Sequence, residues 1–175
     1  MILSATFAAL SAVLSQISIP VGAVPINFTH ISVFAAAGLI GPGYGALSQV
    51  IFVLLGAAGL PVFSGFHGGA GAIFGPTGGF IIGYIPCAFL TGFLVGIFKG
   101  QRKNTAGFAV LLVLAMYAGW FATYLCGISW FMLVTGTGLA AALAACLTPF
   151  IAGDVLKVIV CVFLIARLGP ILEGA

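Results

Sequence analysis

The chain has 175 residues, of which 63% are hydrophobic and 4% are Asp, Glu, Lys or Arg. Soluble domains carry about 25% charged residues, so the composition excludes one and marks an integral membrane protein. The formal charge of +3 comes largely from Lys99, Arg102 and Lys103, a cluster too small for a nucleic-acid-binding face and better read as a topology signal.

A membrane-crossing helix takes about 20 apolar residues, so the length allows roughly six spans. That leaves one membrane domain, residues 1–175, and no separate soluble one. The first predicted helix covers residues 3–19 and ends in the turn-forming cluster Ser18-Ile19-Pro20-Val21-Gly22. It has no basic stretch ahead of it and is too long for a signal-peptide core, so it reads as an uncleaved span. The second helix, residues 27–40, stops at Gly41-Pro42-Gly43, and the third, residues 46–60, stops at Pro61. Residues 80–98, 106–125 and 155–168 supply the fourth, fifth and sixth. The expected fold is therefore all-α, a polytopic membrane protein of six transmembrane helices with structured outer loops.

Two connections are too irregular to face lipid. Residues 60–79 are rich in glycine, and non-helical backbone at membrane depth is tolerated only against protein or lining a cavity. This connection is expected to fold over the bundle. Residues 136–147 form a short helix too brief to span, set apart from the sixth helix by Pro149 and Gly153.

The basic cluster lies between the fourth and fifth helices and so is expected in the cytoplasm, with Arg167 near the C-terminus in agreement. Both termini then lie inside. The connections after the first, third and fifth helices all face outward, and they hold Asn27 and His30, the glycine-rich stretch with His67, and a charged pair.

That pair is the strongest pointer to function. Of seven charged residues, five belong to the basic cluster or lie near the C-terminus, while Asp154 and Lys157 stand together in an apolar setting. An ionised side chain in hydrocarbon costs roughly 2.5–3.5 kcal/mol even on the lenient insertion scale, which makes the pair a functional-site hypothesis. A spacing of three places both on one helical face. Lys157 is suited to a ligand carboxylate and Asp154 to the N–H groups of a polar ring. Asp154 is also placed to be the N-cap of the sixth helix, a role compatible with ligand contact. An outward cavity roofed by glycine-rich loop suits capture of an amphipathic small molecule.

Other classes lack their chemistry. Cys87, Cys126, Cys146 and Cys161 are scattered without metal-ligand or redox spacing and read as packing residues. No nucleophile–base pair, carboxylate pair or metal cluster supports an enzyme, a metal site or a cofactor. Gly75-Pro76-Thr77-Gly78-Gly79 lacks the lysine of a phosphate loop. The helices carry no polar rings for a channel, and no internal repeat with broken helices supports a secondary carrier.

The order of several motifs resembles the BioY family of biotin-specific S components of energy-coupling factor transporters, over nearly the whole chain. The resemblance rests on Gly22-Ala23-Val24-Pro25-Ile26, Gly41-Pro42 with Tyr44-Gly45, Gly59-Leu60-Pro61-Val62-Phe63, Gly75-Pro76-Thr77-Gly78-Gly79, and Gly153-Asp154 with Lys157. It implies six helices, biotin held near the outer face, and assembly with a membrane coupling subunit and two cytoplasmic ATPases. It also implies that Ala5, Ala8, Ala9 and Ala12, spaced as small-x-x-x-small, dock the coupling subunit. The implied ligand contacts are Asp154 and Lys157, with His67, Asn27, Thr29, Thr77 and Tyr84. Residues 79–81 lack an arginine found in some relatives, which leaves Lys157 as the cation for a carboxylate. The alternative is an S component, or a stand-alone carrier, for another small carboxylate-bearing vitamin.

Overall fold

The computed structural model describes residues 1–19, 24–98, 100 and 105–173. The basic cluster Lys99, Arg102 and Lys103 lies outside the described residues, as do Gly22 and Ala23.

The chain runs α1 (Ile2–Gln16), β1 (Ser18–Ile19), β2 (Ile26–Asn27), α2 (Thr29–Ala57), a 3-10 turn (Ser64–Phe66), α3 (Ala70–Phe74), α4 (Gly78–Phe98), α5 (Thr105–Thr135), α6 (Leu139–Cys146) and α7 (Ile151–Glu173). Three segments are long and apolar enough to cross a membrane: Thr29–Ala57, Gly78–Phe98 and Ala106–Thr135. The first of these is not continuous. Gly41 has φ 83° and ψ 177°, outside the helical region and open to glycine alone at little cost, and Pro42 then starts a new arm.

The two arms of α2 fold back on each other. Ser11 Oγ lies 3.0 Å from Ser32 Oγ on the first arm and 3.4 Å from Gln49 Oε1 on the second. A straight helix would hold positions that far apart in sequence about 25 Å from one another. The break predicted at Gly41-Pro42-Gly43 is thus a sharp turn between two antiparallel helical arms.

The remaining differences from expectation lie at helix ends. α1 stops at Gln16, and the next residues form a two-stranded antiparallel ribbon pairing Ser18 with Asn27 and Ile19 with Ile26, which helical apolar patterning does not reveal. α5 continues ten residues past the predicted end at Leu125, to Thr135. Gly127 does not stop it, because the Phe80 ring occupies the space where a side chain would stand; Gly136, with φ 70°, ends it. α6 is the expected short helix.

Packing rests on close backbone approach, because lipid supplies no hydrophobic drive between helices. A Cβ built on Gly92 of α4 would stand 2.8 Å from the Pro42 backbone and 2.9 Å from the Ala37 carbonyl oxygen. Backbone on both sides cannot yield as a side-chain tip can. Gly92→Val should therefore destabilise the bundle by about 2 kcal/mol or more through overpacking, read as a lowered thermal midpoint in detergent, whereas Gly96→Ala, with open space around it, should leave the midpoint in place. Buried polar side chains add interhelical bonds: Ser4 Oγ donates to the Tyr44 carbonyl and Ser32 Oγ to that of Phe7.

α1 presents the alanines unevenly. Ala5 and Ala9 are exposed, while Ala8 is buried to 1% exposure in the main core and Ala12 packs against that core. Of the two small-x-x-x-small pairs, Ala5 and Ala9 therefore lie on the exposed side of α1, and Ala8 and Ala12 on the side that packs into the bundle.

Candidate functional site

The connections after α1, after α2 and before α7 meet at one end of the bundle, and between them lies a cavity of about 740 Å³. This is within the roughly 300–1,000 Å³ typical of small-molecule sites. The α4–α5 pair and α7 form its inner wall through Tyr84, Tyr124 and Lys157, and the glycine-rich stretch supplies Ser64, His67 and Thr77 on the outer side. Asn27, Thr29 and Asp154 line it too. All seven predicted contact residues therefore come together, from parts of the chain more than a hundred residues apart.

At the heart of the cavity, Lys157 Nζ donates to Asp154 Oδ1 at 2.9 Å. Asp154 is 5% exposed and Lys157 2%. Such burial is sustainable only with partners, since an isolated charge in a low dielectric is far more costly than a pair. The second carboxylate oxygen is also engaged: the Tyr124 hydroxyl donates to Asp154 Oδ2. One Lys157 proton is thus committed, and the ammonium retains donors for a guest.

Asp154 is not the N-cap of α7. Its backbone N–H donates to the Phe150 carbonyl at 2.9 Å, so the helix starts a turn earlier, at Ile151. The reason is local: Pro149 precedes the first turn, and Gly153 does not interrupt it. The carboxylate sits in the first turn, where the helix dipole favours an anion, but its hydrogen bonds go sideways to Lys157 and Tyr124.

Aromatic rings shape the rest. His30 lies edge-on to Tyr84 at 5.0 Å between centroids and to Trp120 at 5.7 Å. Phe52 meets Phe63 edge-to-face at 5.4 Å. Asn27 Oδ1 accepts from the Thr29 N–H at 3.2 Å, an Asx-type turn that leads the chain from β2 into α2. Among the described residues, His30 Nε2 and Thr29 Oγ1 are buried polar atoms without a hydrogen-bond partner, and both residues line the cavity. His67 is exposed, with Nδ1 2.9 Å from the Ser64 carbonyl oxygen. Trp130 Nε1 donates to the Gly75 carbonyl at 3.0 Å, which ties the end of the glycine-rich stretch to α5 just ahead of Thr77.

Sequence reasoning missed Tyr124 and left His30 out of the contact set. Nothing in a uniformly apolar helix marks one tyrosine as the partner of a carboxylate 30 positions later. His30 carried a signal, being one of two histidines in the chain. Among the described residues no cluster of three or more His, Cys, Asp or Glu side chains is placed to hold a metal ion.

The family model for BioY matches residues 1–174. The chain belongs to the BioY family. It is 37% identical to the probable biotin transporter BioY of Pyrococcus horikoshii, across 95% of this chain and 93% of that protein. With the biotin transporter BioY of Thermotoga maritima the identity is 36%, across 93% and 90%. A crystal structure of the S-component for biotin from an ECF-type ABC transporter superposes with a TM-score of 0.83 at 33% identity, covering 95% of this chain and 88% of that one. With its long apolar helices, this BioY family member is a membrane protein.

Proposed function

We propose that this chain captures biotin as the substrate-binding S component of an energy-coupling factor transporter in the cell membrane of a prokaryote. The observation that carries the reading is the buried Asp154–Lys157 pair facing a cavity of about 740 Å³, in a chain whose relatives are named for biotin transport. The cavity binds its guest and does no chemistry on it.

In this reading α1, the two arms of α2, α4, α5 and α7 are six membrane-spanning segments of a single domain, with both termini cytoplasmic and the cavity open to the exterior. Lys157 receives the carboxylate of biotin, and Asp154, held by Tyr124, accepts from the ring N–H groups. Asn27, Thr29, Thr77, Tyr84 and His67 complete the contacts, and His30 joins them because it lines the cavity and its buried Nε2 lacks a partner among the described residues. Energy comes from two cytoplasmic ATPase subunits through a membrane coupling subunit.

Equilibrium titration of the purified chain with biotin tests the assignment. Saturable binding in the nanomolar to micromolar range is expected, with other carboxylate-bearing vitamins far weaker; no detectable biotin binding would overturn it. For the docking partner, the exposed pair Ala5 and Ala9 is the proposed face, because small residues four apart let a partner helix approach closely in lipid. Ala5→Trp with Ala9→Trp should abolish co-purification with the coupling subunit while biotin affinity stays within about twofold. Retained assembly moves the docking face elsewhere.

A further inference from the structure

The roof of the cavity contains an unfavourable turn. Gly65 and Phe66 have positive φ, 73° and 59°, and for a residue with a side chain that region is costly. Phe66 is 71% exposed, so packing of its own ring does little to hold it there. Its N–H instead donates to Gln16 Oε1 at 2.9 Å. The same amide donates through Nε2 to the Phe63 carbonyl at 3.1 Å and to that of Pro61 at 3.4 Å. The neighbouring Ser15 hydroxyl donates to the Val62 carbonyl.

Among the described residues, every hydrogen bond that reaches residues 61–66 from outside the loop comes from Ser15 or Gln16. The apolar anchors are Val62, packed against the main core, and the Phe63 ring, 3% exposed, which stacks edge-on against Phe52 and fills the space beside Gly56. These hold the start of the loop in place. The turn that follows, where Ser64 and Gly65 line the cavity, is closed from within by the Phe63 N–H donating to the His67 carbonyl at 3.0 Å and by His67 Nδ1 at 2.9 Å from the Ser64 carbonyl oxygen; the Gln16 amide, bonded on both sides of it, is what ties that turn to α1.

We infer that Gln16, with Ser15, is a positioning residue for ligand retention: the last turn of α1 holds the roof in place over the cavity. The inference rests on the biotin-binding reading. Removing the amide frees the turn at Phe66 and lets the roof open more often, so the ligand leaves faster while the floor that recognises it is untouched.

The test uses the full chain in detergent. In Gln16→Met, which keeps the side-chain length and removes the amide, the biotin dissociation rate should rise about tenfold, the equivalent of one or two lost hydrogen bonds, with the association rate changed less. Ser15→Ala should give a smaller rise and serves if Gln16→Met does not fold. Ser11→Ala is the control, since Ser11 is as buried as Ser15 on α1 but bonds Ser32 and Gln49 instead of the roof; it should lower the thermal midpoint and leave the dissociation rate alone. Spin labels at F66C and L133C, in a C126S background, supply a readout free of ligand, and Gln16→Met should broaden their distance distribution. A dissociation rate within twofold of the unsubstituted chain, or one raised equally by Ser11→Ala, overturns the inference. If the unsubstituted chain fails to bind biotin, the functional reading falls separately, and the distance distribution alone decides on Gln16: broadening supports the tether and an unchanged distribution refutes it.

Discussion

Lys157→Ala should raise the biotin dissociation constant by about a hundredfold or more, as truncating one member of a buried, hydrogen-bonded charge pair does. The same substitution should weaken an uncharged biotin amide by about tenfold or less, because the amide never had the charge-assisted bond to lose. Isothermal titration of both ligands against both proteins measures this. The physical basis is the arrangement around the ammonium: Lys157 is 2% exposed, gives one hydrogen bond to Asp154 Oδ1 at 2.9 Å, and lines the cavity with donors to spare. Equal losses for acid and amide would mean that Lys157 reads the ring, together with Asp154, and that the carboxylate is held elsewhere, on the glycine-rich side near His67 and Thr77.

Stability and recognition should separate in a double-mutant cycle on the same pair. Lys157→Met leaves a buried carboxylate bonded only to Tyr124, and Asp154→Asn leaves a buried ammonium facing a neutral amide. Each should destabilise the chain by about 3–5 kcal/mol, the usual cost of stranding one buried charge. Asp154→Asn combined with Lys157→Met removes both charges at once and should recover most of the lost thermal midpoint, since replacing a buried pair by neutral side chains is often close to neutral. Biotin binding should stay abolished in the recovered protein. A double variant destabilised by the sum of the two single effects would show that the pair contributes little to the fold through its mutual attraction. Recovered binding would remove the pair from recognition.

How much of this was legible in the sequence depends on whether a feature is local. The Gly41-Pro42-Gly43 break is local: proline cannot continue the preceding helix and glycine alone takes φ 83° cheaply. The glycine-rich roof is local too, because backbone without helical bonding must find partners inside a membrane protein. The ends of α1 and α5 were less legible. The ribbon after α1 is made of two-residue strands, too short for alternation to register, and the extension of α5 through Gly127 depends on Phe80 from another helix.

The N-cap assignment for Asp154 failed for a related reason. A carboxylate ahead of an apolar run is the ordinary cap signature, yet here Tyr124 and Lys157 engage both of its oxygens, and the helix begins one turn earlier. The alanine pattern on α1 was visible as spacing but not as a face. Ala8 and Ala9 are neighbours in sequence, and only packing against α2 makes the first buried and the second exposed.

By itself the sequence determined the solvent, the all-α character and the position of the one charged pair, because each of these follows from composition or from residues a few positions apart. Tertiary structure alone decided that Tyr124 holds Asp154, that His30 turns toward the cavity, that Gln16 holds the roof, and which side of α1 is free. In lipid, a helix apolar all round carries no periodic record of which side meets its neighbours. The rotation of each helix is set by glycine contacts and hydrogen bonds with helices distant in sequence, and those exist only once the bundle has formed.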